Sequence, residues 1–271
     1  MKKHLFEFLV IASALVLICV ACATVPITGR SALALVSAGE MSAMSADAYR
    51  QVLTESKVSR DPGKTALVHG VGKRVASASE QFLRENNMGN TLQYYQWQFN
   101  LIDDDKTVNA FCMPGGRIAV YTGILPYTKD ETGLAVVVGH EAAHAMANHS
   151  GERMSQLLLV EMGGVVLQES MKKNKEMTRA LALMAYGLGT QIGILLPYSR
   201  QHEFEADKIG LVLMARAGYD PRQAPDFWVR MNQAGGGKRP PAWLSTHPAP
   251  EQRIAEMHKF IPEAMKHYKP M

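Results

Sequence analysis

Apolar positions in this chain follow a helical period, switch to strict alternation, and then return to the helical period. Across residues 64–85, Leu67, Val68, Val71, Val75, Ala78, Phe82 and Leu83 recur three and four apart, which predicts a helix. Residues 37–58 have helical composition, with Ser37 followed three residues later by Glu40 as a capping box. Asp61-Pro62-Gly63 is the turn between the two. From Gln93 the period changes. Tyr95, Trp97, Phe99 and Leu101 alternate with Tyr94, Gln96, Gln98 and Asn100, a strand pattern. Asp103-Asp104-Asp105 reads as a solvated turn, since no calcium-loop spacing surrounds it. Residues 107–113, then Pro114-Gly115-Gly116, then 117–121 predict strand, turn, strand. A long apolar helix is expected over 129–149, with Asp130 and Glu131 suiting its N-terminus.

The later pattern is mostly helical. Stretches 157–167 and 180–197 are apolar. The first is too short to span a bilayer, and the second carries three glycines, Thr190 and Gln191, so core helices are expected of both. A charged loop is expected at 171–179 between them. A further apolar run at 209–217 is closed by Gly218-Tyr219-Asp220-Pro221. Residues 222–233 form the next helix, and 234–241, with Gly235-Gly236-Gly237, a flexible loop. The last helix runs over 250–260 and carries Arg253. The fold class is therefore α+β, mainly α, with a small antiparallel sheet just before the helix at 129–149.

Composition narrows the function. In 271 residues, 47% hydrophobic content suffices for a full core. The formal charge of +4, or +3 once Lys2, Lys3 and Glu7 are set aside with a leader, is too mild and too evenly spread for nucleic acid. The first residues read as such a leader: Lys2 and Lys3, then an apolar run to Ala21. Val20-Ala21-Cys22 looks like a bacterial lipobox, with Cys19 standing where leucine is usual, so Cys22 is the expected lipidation site. Ala23 resembles the residue of lipoproteins sorted to the outer membrane. The expected organisation is a signal peptide at 1–21, a tether and first docking segment at 22–36, and one domain at 37–271. Cys112 would then be the remaining thiol, expected to be a buried small hydrophobe.

The chemistry concentrates at Gly139-His140-Glu141-Ala142-Ala143-His144. On a helix, residues four apart lie about 40° from each other around the axis, so His140 and His144 present two imidazoles to one point. Glu141 sits beside that point, placed to take a proton from an attacking water. Two nitrogen ligands with an adjacent carboxylate base is the pattern of a hydrolytic zinc site. A third ligand does not follow at the close spacings: residue 147 is Ala, 150 is Ser and 164 is Gly. Further on, Glu203 and Asp207 share a helix face, while Glu205 lies about 200° from Glu203. A ligand at Glu203 with a supporting carboxylate at Asp207 is one reading, and a solvated charged face is the other. The apolar run that follows makes this helix at least half buried, and buried carboxylates need partners. His149 is expected at the surface, five residues past His144. His69 is expected at or near the surface; His202, His258 and His267 are given no role.

Together these segments resemble the zinc metallopeptidase family of the type I CAAX prenyl protease, HtpX and mitochondrial Oma1, and within it bacterial periplasmic lipoproteins such as LoiP. The resemblance runs from Val25-Pro26-Ile27-Thr28-Gly29-Arg30 through Asn109-Ala110-Phe111, Pro114-Gly115-Gly116 and the two motifs above to Ser245-Thr246-His247-Pro248. It implies a zincin-like metallopeptidase fold and one Zn2+ per chain. His140, His144 and Glu203 would be ligands, Glu141 the base, and Asp207 a support. His247 would approach the site, filling the open metal position at rest or bonding the oxyanion. The sheet would offer Asn109 and Ala110 as an edge for extended substrate. The implied protein is an endopeptidase of the cell envelope, acting on unfolded envelope proteins from the periplasmic face of the outer membrane. A periplasmic chaperone or assembly factor with a structural or latent zinc site is the alternative.

Overall fold

The computed structural model describes residues 22–162, 200–234, 241–247 and 251–270. The leader at 1–21 and the stretches at 171–179 and 180–197 lie outside these residues. Among the described residues no helix is long and apolar enough to cross a membrane.

A short hairpin comes first: β1 (Cys22–Thr24) pairs antiparallel with β2 (Ser31–Leu33). Val25 and Ala32 bury its inner side. Helix α1 (Ala38–Glu55) begins with the expected reciprocal cap between Ser37 and Glu40. Helix α2 (Pro62–Glu85) begins with Asp61 accepting from the Lys64 amide, and it buries the face read from its spacing.

The sheet corrects one expectation. Its strands are β3 (Gln98–Ile102), β4 (Ala110–Met113) and β5 (Arg117–Tyr121), in spatial order β3-β5-β4. The β4–β5 hairpin is antiparallel, but β3 lies on the far side of β5 and runs parallel to it, so the sheet is mixed. Alternation specifies which face of a strand is buried; it does not specify the neighbour or its direction. The hairpin turn needs its two glycines: Gly115 and Gly116 have φ of +84° and +80°, and a Cβ on Gly116 would lie 2.5 Å from the Trp97 ring. Residues 89–94 form a 3-10 turn instead of the beginning of a strand.

Helix α3 (Glu131–Met146) is the centre of the molecule. It is apolar on nearly every side and buried on nearly every side, as that composition requires. Asp130 caps it by accepting from the Gly133 amide at 2.8 Å. Helix α5 (Arg200–Arg216) packs along it. At their crossing Gly139 faces Gly210. A Cβ on Gly139 would sit 3.1 Å from the Gly210 carbonyl oxygen, and one on Gly210 would sit 3.0 Å from the His140 nitrogen. This close approach lets His140, one residue on, meet side chains projecting from α5.

The central helix also ends earlier than its composition suggests. Met146 is its last residue, and Asn148 turns the chain at a left-handed φ of +53°. The chain restarts as α4 (His149–Met162) in a new direction. Helices α6 (Ala224–Ala234), α7 (Ala242–Thr246) and α8 (Glu251–Met265) close the other side of the site. Cys112 is free and buried, as expected.

Candidate metal centre and catalytic cluster

Four ligand-type side chains from three segments meet at one buried point: His140 and His144 from α3, Glu203 from α5, and His247 just after α7. None is more than 3% exposed. His140 Nε2 lies 3.1 Å from His144 Nε2, 3.3 Å from His247 Nδ1 and 3.5 Å from Glu203 Oε2. His144 Nε2 is 3.5 Å from Glu203 Oε1, and His247 Nδ1 is 3.2 Å from the same oxygen. A four-coordinate ion with bonds of about 2.0–2.1 Å holds its ligand atoms about 3.3–3.4 Å apart. The donor set therefore fits such an ion.

Charge points the same way. Glu141, Glu203 and Asp207 are three buried carboxyl groups around one buried guanidinium, Arg253. Buried charge needs opposite charge nearby, and a divalent cation supplies it. Burial opposes ionisation of Glu203, but His247, Arg253 and the bonds with His140 outweigh it and hold the carboxyl well below the usual carboxylate range. His140 is likewise disfavoured as a cation by burial, yet Asp207 and Glu203 push it up to about 9. The carboxylates that favour a proton on His140 would equally favour a metal cation at its side.

Each of these groups is held from behind. Arg253 donates from Nε to Asp207 Oδ2 and from Nη2 to Asp207 Oδ1, both at 2.7 Å, and its Nη1 lies 2.8 Å from Glu203 Oε2. Its guanidinium stacks 4.1 Å over the Trp228 ring. Asp207 Oδ1 is 3.1 Å from His140 Nδ1, at an angle too oblique for a straight hydrogen bond. Glu141 Oε1 accepts from Trp243 Nε1 at 2.8 Å. Trp243 also donates its backbone N–H to the Val108 carbonyl at 3.0 Å, beside the edge strand β4. Of the two residues expected on that edge, Ala110 opens β4 and is buried. Asn109 precedes it, and its carbonyl accepts the Tyr121 amide.

One expectation is overturned. His149 is fully buried, not at the surface. On a continuous helix it would point about 140° away from His144. The left-handed turn at Asn148 instead swings it back, so that its Nδ1 sits 2.8 Å from His144 Nδ1. Burial pushes His149 down to about 4, so it is neutral at ordinary pH. His202, for which the sequence implies no role, is also buried; its Nε2 is 2.9 Å from Glu152 Oε2, and its ring stacks on that of His149. Glu205 is absent from the Glu203–Asp207 face, as expected, and serves the other side: it accepts from Thr28 and Arg30 of the hairpin.

Sequence reasoning missed Arg253, Trp243, His149 and Arg30. Arg253 had a legible signal, since it stands on the stripe with Met257 and Ala264 that α8 buries. Asn148 is a helix-ending residue type and was the available sign that His149 would turn. Nothing in the spacing marked Arg30 or Trp243 as partners of distant residues.

Comparison with known proteins places the same stretch. Residues 62–261 match Peptidase family M48. The chain is 36% identical over 245 residues to the mitochondrial metalloendopeptidase OMA1 of Schizosaccharomyces pombe, covering 89% of this chain and 66% of that protein. It is 31% identical over 247 residues to the human mitochondrial metalloendopeptidase OMA1, covering 89% of this chain and 46% of that one. It is 29% identical over 240 residues to the beta-barrel assembly-enhancing protease of Escherichia coli, covering 86% of this chain and 46% of that one. The chain thus spans between about half and two thirds of the length of these relatives.

Proposed function

Because the chain belongs to Peptidase family M48, we propose that it is a zinc-dependent endopeptidase of the bacterial cell envelope, cleaving unfolded or misassembled envelope proteins. The observation that carries the reading is the meeting of His140, His144 and Glu203 at tetrahedral spacing with Glu141 alongside. Two imidazoles and a carboxylate are the donors of a catalytic zinc. Zinc held there would polarise the scissile carbonyl and acidify the attacking water. Glu141 takes the proton of that water and returns it to the leaving amine. Trp243 Nε1–H holds one Glu141 oxygen, which leaves the other to face the water. Asp207 and Arg253 keep His140 and Glu203 in place. Asn109 and Ala110 supply the edge for an extended peptide.

His247 is the gate. Its Nδ1 stands where a fourth ligand belongs, so the resting site is closed and substrate must displace it. The same observation favours the second reading, a chaperone or assembly factor with a latent zinc site. Glu141→Gln separates the two. The variant keeps its fold and zinc and loses proteolysis of casein and of unfolded outer-membrane protein about 10²–10⁴-fold. Undiminished cleavage by the zinc-replete variant would sink the role of Glu141, and no chelator-sensitive cleavage by the wild type would favour the second reading.

The envelope location rests on the leader and on lipidation of Cys22. It agrees with the E. coli relative's name, which concerns β-barrel assembly. Cys22→Ala is expected to release the protein from membranes into the soluble fraction. If it still sediments with membrane after a carbonate wash, the lipid-anchor proposal fails.

A further inference from the structure

Behind His144, on the side away from the metal cluster, lies a second buried network that the catalytic reading does not use. It links His149, Glu205, Glu152 and His202 to Arg30 and Thr28 of the N-terminal hairpin. His149 Nε2 is 3.2 Å from Glu205 Oε2. Glu205 accepts from Thr28 Oγ1 at 2.7 Å, from Arg30 Nε at 2.9 Å to each oxygen, and from Arg30 Nη2 at 2.7 Å. Arg30 also forks onto both oxygens of Glu152 at 2.8 and 2.7 Å.

The direction of every proton along this line follows from chemistry. A carboxylate held by a guanidinium and a hydroxyl can only accept, so His149 must donate to Glu205 from Nε2. A ligand histidine that turns a bare Nε2 to the metal carries its proton on Nδ1, so His149 must offer His144 a lone pair on its own Nδ1. That lone pair lies 2.8 Å from His144 Nδ1, which carries the proton. With its proton on Nδ1, His144 turns the lone pair of Nε2 toward the metal cluster. The opposite tautomer of His149 would set a bare nitrogen against a carboxylate oxygen.

We propose that His149 is the positioning residue for the metal ligand His144: it accepts the Nδ1 proton, fixes the tautomer and ring angle that aim Nε2 at the metal, and is itself fixed by Glu205, which the hairpin residues Thr28 and Arg30 hold. Metal-binding histidines usually give their second N–H to a carboxylate or a carbonyl. Here an imidazole takes that place, and it ties the hairpin to the metal centre through three hydrogen-bonded links. The proposal rests on the zinc reading above.

The test compares the full-length chain with His149→Phe, which fills the space without an acceptor, and His149→Gln, whose amide oxygen can accept from His144. Zinc affinity is measured by competition with a chromophoric chelator, and ligand geometry by the visible spectrum of the cobalt-substituted protein. His149→Phe is expected to bind zinc about 10–100-fold more weakly and to shift the cobalt bands, with His149→Gln recovering much of both. Wild-type affinity and spectrum in His149→Phe overturn the proposal, as do equal losses in the two variants, which would mark His149 as filler. If His149→Phe does not fold, Glu205→Gln is read in its place, with affinity expected to fall about 3–10-fold and an unchanged value overturning the proposal. A wild-type chain that binds no zinc would instead overturn the metal reading itself, and the positioning role with it.

Discussion

His140 and His144 lie one turn apart on the same helix, yet the groups behind them come from opposite ends of the chain. His140 faces Asp207, an acidic group clamped by Arg253 of the last helix. His144 faces His149, a neutral imidazole backed by Glu205 and clamped by Arg30 of the first hairpin. Both supports end in an arginine between two carboxylates. They differ in wetness and in distance from the metal. The Arg253 side chain is 2% exposed and touches the candidate ligand Glu203 directly. The Arg30 side chain is 17% exposed and reaches the centre only through two intervening residues. The C-terminal support therefore belongs to the charge balance of the site, whereas the N-terminal one sets orientation.

That contrast can be broken most forcefully at the two arginines. Arg253→Leu removes the guanidinium that joins buried Asp207 to buried Glu203, and should destabilise the metal-free protein by about 3–5 kcal/mol. Arg30→Leu leaves Glu152 still paired with His202, and Glu205 still paired with His149 and Thr28, and should cost no more than about 1–2 kcal/mol. Urea unfolding of both variants gives the comparison, and equal losses would erase it. A second test sharpens it at the metal. Glu203→Ala removes a donor and should abolish stoichiometric zinc, while Glu205→Ala acts through His149 and should weaken zinc binding only about 10-fold. Equal zinc loss by metal analysis would mean the wrong carboxylate had been assigned to the metal. The smallest effect is expected at His247, which meets the C-terminal support at Glu203. As a gate, His247→Ala should raise basal cleavage of an unfolded substrate severalfold. An imidazole that holds the oxyanion would instead show a loss of about 10²-fold or more. The sign of the rate change decides.

Relatives that cover the chain over most of its length are named for activity in mitochondria and in β-barrel assembly, and they extend well beyond the matched region. The hairpin-to-metal network lies partly outside the family match at 62–261, because Thr28 and Arg30 precede it. A segment expected to be a tether thus also carries side chains that reach the groups around the centre.

Much of this was legible along the chain because it is local. The capping box at Ser37, the buried face of α2, the hairpin glycines and the convergence of His140 with His144 depend on residues a few positions apart. A helix or strand period translates such spacings directly into geometry. That Glu203 shares a face with Asp207 and not with Glu205 followed from the same rule, whereas its turning toward the histidines was implied only by the family resemblance. What the tertiary structure alone decided was every relation across distance. The direction of β3 depends on which edge of β5 it meets. The place of His149 depends on a left-handed turn that redirects the chain after α3. The partners of Arg30, Arg253 and Trp243 lie 175, 46 and 102 positions away along the chain. Periodicity reports which face of an element is buried, but a buried charge finds its partner only when the packing of other elements brings one within a few ångströms.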